Sequence, residues 1–147
     1  MNYTNIIQDL VNNIDIQNNP KKIDLVLDSG GFKGSYLLGA LYYLKYLEKK
    51  KYVVINKISG SSIGAIIGTL YLFDRLDLFE KYYPKMKEEF RKDLNLNYIF
   101  TIINDIIDNC EEKDYDKLNN KLILNYYNLK DKKECIIQKY TSNTQLK

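Results

Sequence analysis

The chain has no histidine and no tryptophan, and among 147 residues it has only two cysteines, two prolines and seven glycines. Without histidine no Ser-His-Asp triad can be assembled, and the commonest zinc ligand is missing. Cys110 and Cys135 lie too far apart for metal-ligand spacing and are too few for a disulfide framework, so a zinc site is not expected and a reducing compartment fits best. No stretch reaches the roughly 18 apolar residues of a membrane span. The first residues, MNYTNIIQDLVNNIDIQ, place acids and amides where a secretory leader needs a basic end and an apolar run, which leads to the expectation of a cytoplasmic protein. A net charge of +3 carried by scattered lysines lacks the concentrated basic face of a nucleic-acid binder, so no nucleic-acid partner is expected.

What the chain has in excess is Lys, Asn, Ile and Tyr, which make up almost half of it. Such a bias is typical of an AT-rich coding sequence, and surface Asn and Lys therefore carry no functional weight. With 45% hydrophobic and 28% charged residues the composition is that of a folded globular protein, and the length fits a single domain, residues 1–147.

All seven glycines fall between Gly30 and Gly68. Before them, Ile6, Ile7, Leu10, Val11 and Ile14 recur at helical spacing and predict a short amphipathic helix packed on the domain edge. The run Ile23 to Leu27 reads as a buried strand stopped by DSGG. Leu37, Leu38, Leu41, Leu44 and Leu47 then predict a helix from Ser35 to about Leu47, with Ser35 as its cap. A second strand is expected over Tyr52 to Ser59 and a buried helix over Ile63 to Phe73. Strand, turn, helix, repeated, is a βαβα unit with parallel strands and a right-handed crossover. Both glycine turns then open at the carboxyl edge of the sheet, where α/β proteins place ligands. Gly39, Ala40, Gly64, Ala65 and Gly68 form small-residue faces, read as close helix-to-sheet packing. Further on, Pro84 punctuates a helical stretch, Leu96 to Asn109 has a broad apolar face, and KLILNYYNL and ECIIQKY look like two strands of a hairpin or sheet edge.

The sequence GSSIG, Gly60 to Gly64, matches G-x-S-x-G, in which a serine occupies a sharp strand-to-helix turn and the flanking glycines relieve crowding. Ser62 is the candidate nucleophile, with Gly60 and Gly64 forming the elbow; the plainer alternative is a serine that only caps its helix. A serine nucleophile needs donors for the oxyanion. The loop SGGFKG, Ser29 to Gly34, offers successive backbone N–H groups at a helix start, suited to an anion. It could equally hold a phosphate, although no G-x-x-x-x-G-K-[ST] is present and Ser29 stands where G-x-G-x-x-G needs its first glycine. The proton acceptor cannot be histidine.

The pair LDSGGFKG and GSSIG resembles the patatin-like phospholipases, which carry D-G-G-G-x-[RK]-G, then G-x-S-x-G about thirty residues on, and use a Ser-Asp dyad. The resemblance implies a three-layer α/β fold, a mainly parallel sheet with helices on both faces, here truncated. It implies a lipid acyl hydrolase with Ser62 as nucleophile, an oxyanion loop of Gly30, Gly31, Phe32, Lys33 and Gly34, and a phospholipid or other acyl lipid as substrate, with peripheral contact at membranes. Asp28 matches the acidic first residue of the loop, which is not the catalytic acid. Ser29 replaces a glycine and would be strained if its φ were positive. The family's catalytic aspartate lies in D-G-[GA], after A-S-x-x-[IV]-P, and neither motif occurs here. The expectation is therefore the N-terminal two-thirds of such a domain, without its Asp-containing part. Asp105, Asp108, Asp114, Asp116 and Asp131 read as solvated surface rather than as substitutes. The competing reading is a non-catalytic remnant that binds lipid or a protein partner.

Overall fold

The computed structural model describes residues 3–12, 20–111 and 113–146. Helix α1 (Tyr3–Asn12) precedes a βαβα unit made of β1 (Lys21–Leu27), α2 (Gly34–Lys49), β2 (Val53–Gly60) and α3 (Ile63–Leu72). Two further helices follow, α4 (Leu76–Asp93) and α5 (Asn97–Asp108), and then the strands β3 (Leu122–Asn128) and β4 (Lys133–Ile137). Short 3-10 turns occupy Gly31–Lys33, Asp114–Lys117 and Asn143–Leu146. The sheet runs in the order β1-β2-β3-β4, with the first three strands parallel and β4 antiparallel to β3. The expected hairpin is thus the closing edge of a mostly parallel sheet.

Alternation along β1 divides its two faces. Ile23, Leu25 and Leu27 turn to the core shared with Ile55 and Ile58 of β2 and with Ile63, Ile67 and Leu70 of α3, while Lys22, Asp24 and Val26 are exposed. Strands added in sequence order through right-handed crossovers carry their helices on a single side. In keeping with this, α2 and α3 pack on each other and on β2. The opposite face stays open: Val26 is 81% and Ile136 65% exposed. Of the three layers expected, the described residues supply the sheet and one layer of helices.

The β1–β2 ladder is interrupted once. Ile23 pairs with Ile55 but Asp24 pairs with Lys57, so Asn56 is an extra residue, and its side-chain amide donates to Asp24 Oδ1 at 2.8 Å. Side chains serve the backbone at this bulge. The Ile55 N–H donates to Glu48 Oε1 at 2.9 Å, and the Ile55 carbonyl accepts from Lys121 Nζ at 3.1 Å. The second oxygen of Glu48 accepts from the hydroxyl of Tyr71, whose side chain is almost fully buried. Burial first, and the Glu48 carboxylate second, push the Tyr71 phenol far above its ordinary value, so it stays a donor at every physiological pH. A polar strut from α3 through α2 to β2 therefore crosses the core without leaving a partner unmet.

Three local expectations are corrected. Ser35 does not cap α2: the helix starts at Gly34, continuing the 3-10 turn before it, and Ser35 Oγ donates back to the Phe32 carbonyl at 3.4 Å. Pro84 does not break its helix, since α4 runs through it. The ring is exposed, so the carbonyl of Glu80 that loses its partner faces water and the usual penalty falls. Gly39 and Ala40 are exposed on the outer side of α2 rather than packed on the sheet. In α1, Val11 is fully buried while Ile6 and Leu10 are exposed, and Ile14 lies outside the described residues.

Tyr71→Phe removes the donor while leaving Glu48 in place. It is expected to lower unfolding stability by about 1–3 kcal/mol with the urea m-value unchanged, measured by equilibrium urea denaturation.

Candidate active site

Leu27, the last residue of β1, pairs with Gly60, the last of β2, so both glycine turns leave the sheet at one edge. What holds them together is steric. A Cβ on Gly64 would lie 2.2 Å from the Leu27 carbonyl oxygen and 2.8 Å from that of Asp28, so the first turn of α3 is pressed onto the end of β1 at a distance only glycine permits. A Cβ on Gly60 would meet the Ala65 nitrogen at 2.8 Å, and one on Gly34 would meet Ile63 Cγ1 at 2.6 Å. The start of α2 thus packs against the residue that follows Ser62. The Ser61 N–H donates to the Leu27 carbonyl at 3.2 Å and closes the junction.

Ser62 has φ 52° and ψ −124°, a combination that side-chain-bearing residues avoid and that costs on the order of 1–3 kcal/mol. It is exposed and makes no side-chain capping bond. Its carbonyl, by contrast, accepts from the N–H groups of Ala65 and Ile66 at 3.0 and 3.3 Å, so the backbone carries the helix start and the hydroxyl is left free of that task. A serine that merely caps would adopt the extended backbone of an N-cap and spend its oxygen on the helix.

In the neighbouring turn, Gly31 has φ +52°, whereas Ser29 is not among the residues with positive φ, so the strain that its replacement of glycine could bring does not arise. The Ser29 N–H donates to Asp28 Oδ1 at 2.7 Å, and Lys33 N–H donates to the Gly30 carbonyl at 3.0 Å. No acceptor among the described residues takes the N–H of Gly30 or Gly31, nor that of Ile63 directly after the serine. Lys33 is exposed beside them and Gly34 is buried.

The fixing of this loop is the feature that sequence reasoning missed. The Phe32 carbonyl accepts from Tyr83 Oη at 2.8 Å, and the Phe32 ring packs against Phe90 at 4.8 Å and edge-on against Tyr83 at 6.4 Å between centroids. Both partners belong to α4, some fifty residues away, and no local motif announces them. Ile63 was missed as well, although the position after the serine of a G-x-S-x-G turn is itself a signal.

The five aspartates are spread over other elements. Asp105 and Asp108 lie on α5, Asp114 and Asp116 on the 3-10 turn before β3, and Asp131 in the hairpin turn. Burial would raise the Asp114 carboxyl, but its bonds from Lys117 and the Glu111 N–H outweigh that and hold it below the usual carboxylate range. Asp105 accepts from the Asn109 side chain at 3.3 Å and Asp131 from that of Asn128 at 3.2 Å. Among the described residues no group of three or more Cys, Asp and Glu could hold a metal ion, and both cysteines are free. No described helix is long and apolar enough to cross a membrane.

By fold the chain is an α/β protein whose parallel strands deliver a strained G-x-S-x-G turn beside a glycine loop. The Patatin-like phospholipase family model matches residues 25–142, from the middle of β1 to beyond β4, and the chain belongs to that family of lipid acyl hydrolases. No curated protein and no solved structure matches it.

Two pairs of substitutions check the geometry. Gly64→Ala is expected to lose about 3 kcal/mol or more because backbone cannot retreat from the new methyl, whereas Gly39→Ala, with open space around it in a helix, should gain about 0.5–1 kcal/mol, both read by thermal unfolding. Ser62→Gly should be more stable than Ser62→Ala by about 1–3 kcal/mol, since only glycine relaxes at that backbone conformation; equal melting curves would remove the case for strain.

Proposed function

We propose that this chain is a serine-dependent acyl-ester hydrolase of lipids in which Ser62 is the nucleophile. The observation that carries the reading is the backbone of Ser62, held in a strained conformation with its hydroxyl exposed and unused for capping. In the proposed reaction Ser62 Oγ attacks the ester carbonyl carbon and gives its proton to a base. The open N–H groups of Gly30 and Gly31, joined by that of Ile63, stabilise the oxyanion that forms, and the turn through Phe32, Lys33 and Gly34 holds them in place by the bonds of the Lys33 and Gly34 N–H groups to the Gly30 and Gly31 carbonyls. Collapse breaks the ester bond as the protonated base returns its proton to the leaving oxygen and the alcohol departs, and water then attacks the acyl-serine to free the fatty acid and restore the hydroxyl. The substrate is a phospholipid or another acyl lipid, met at a membrane surface by peripheral contact, and no cofactor enters.

In a Ser-Asp dyad the base is an aspartate, and this sequence contains no D-G-[GA] motif. The second reading is a non-catalytic remnant that binds lipid or a protein partner. Even with its triad disabled, a hydrolase retains about 10³–10⁴-fold catalysis over water from its oxyanion hole and substrate binding. Weak turnover and a reactive serine are therefore compatible.

A fluorophosphonate probe separates the two readings. One label per chain, absent in Ser62→Ala by intact-mass spectrometry, is the expected result. Absence of labelling on the folded chain would leave only the remnant.

A further inference from the structure

The most exposed large apolar side chains gather at one edge of the molecule. Among the described residues six of them are 63% exposed or more: Val26, Tyr36, Leu94, Phe100, Leu129 and Ile136. Val26 is the next-to-last residue of β1, and Tyr36 sits in the first turn of α2, just after the glycine loop. Leu94 follows α4, its N–H bonded to the carbonyl of Phe90, the residue that packs on Phe32 of that loop. Phe100 lies in the first turn of α5, next to Ile99, which lines one apolar crevice with Ile63. The last two belong to the hairpin. Gly60 ends β2 opposite Leu124, yet β3 runs on to Asn128. Residues Asn125 to Asn128 therefore stand past the serine turn, a reach of about 13 Å. Ile136 pairs with Asn125 on this overhang and Leu129 forms its tip, while Tyr126 and Tyr127, half-exposed, alternate onto its two faces.

We infer that this edge is a docking surface for a lipid bilayer, on which the molecule stands with its serine turn toward the headgroups and the tip of the β3–β4 hairpin inserted deepest. The inference rests on the reading of the protein as a lipid hydrolase. A bilayer suits the edge better than a protein does. A folded partner covers one continuous face, whereas the overhang is apolar on both faces and at its tip, a shape that a fluid medium covers by closing round it. A second copy would need about 800 Å² of continuous, self-complementary surface from each partner, and these residues sit on separate projecting turns. Charge matches the phosphate layer. Lys130, Lys132 and Lys133 surround Leu129 with only Asp131 and Glu134 beside them, Arg91 precedes Leu94, and Lys33 precedes Tyr36. All five cations are exposed, and none of them forms an ion pair with a described residue. Their long stems can lie along inserted apolar groups while the charged heads reach phosphate oxygens, and tyrosine has the same divided character.

The test uses the full chain carrying Ser62→Ala, so that docking is read without turnover, and vesicles of phosphatidylcholine alone or mixed with phosphatidylserine. Flotation is expected to show partition into both, tighter into the mixture, and Leu129→Ala should lower it about tenfold. The chain has no tryptophan, so a single one reports its own surroundings. In Leu129→Trp and Phe100→Trp the emission should move to shorter wavelength on adding vesicles and be quenched by brominated phosphatidylcholine. Lys49→Trp, at the far end of α2, should show neither. No partition into either vesicle, partition that Leu129→Ala leaves unchanged, or equal quenching in Lys49→Trp overturns the inference. So does a dimer that Leu129→Ala dissolves, which would assign the edge to a second copy. The fluorophosphonate label on the unaltered serine keeps the two readings apart: docking without a label upholds this surface on a non-catalytic lipid binder, and a label without docking overturns the surface while leaving Ser62 as the nucleophile.

Discussion

The contact between Gly64 and the carbonyls of Leu27 and Asp28 leaves less room than any side chain needs. Because that contact is backbone on backbone, neither partner can adjust by turning a rotamer. It fixes how far the first turn of α3 stands from the end of β1. Through that distance it fixes the separation between the serine turn and the glycine loop. Gly34 adds a second close approach, here against the side chain of Ile63, and the Ser61 bond to Leu27 closes the junction. A site assembled from such contacts is preorganised by sterics, since each close approach is enforced by the one that follows it.

The same crowding explains why strain at Ser62 persists. A serine turned to φ 52° would relax if the chain on either side could move, but Gly60 and Gly64 are both pinned. Relaxation is thereby blocked from both directions, and the hydroxyl is presented instead of being folded back onto the helix. The open N–H groups of the glycine loop are kept open in a comparable way. Tyr83 and Phe90 hold Phe32 by its carbonyl and its ring, which stops the loop from curling over its own donors. The geometry of this edge therefore depends on α4 as much as on the two motifs.

Much of this was legible in the residues, and the portion that was not has a common cause. The βαβα unit could be read because glycine and DSGG punctuate it and because its strands and helices repeat apolar residues at different periods; the boundaries Val53–Gly60 and Ile63–Leu72 differ from expectation by one residue. The serine turn could be read because glycine spacing reflects local crowding. Features decided by distant partners were not visible. The bulge at Asn56 is served by Glu48 and Lys121, the exposure of Gly39 depends on which side of α2 meets the sheet, and the tolerance of Pro84 depends on which side of α4 meets water. The hold of Tyr83 on Phe32 spans 51 positions in the chain. Periodicity reports the faces of an element and says nothing of its neighbours.

The unit from Lys21 to Leu72 is continuous in sequence, and it contains both turns, their glycine contacts and the strut from Tyr71 to β2. β3 and β4 join only after two further helices have been made. Pairings between nearby segments form faster than those that must close long loops. During synthesis the elbow and the glycine contacts of this unit would accordingly take shape while the closing hairpin is still being translated, and the glycine loop would gain its hold from Tyr83 and Phe90 once α4 follows.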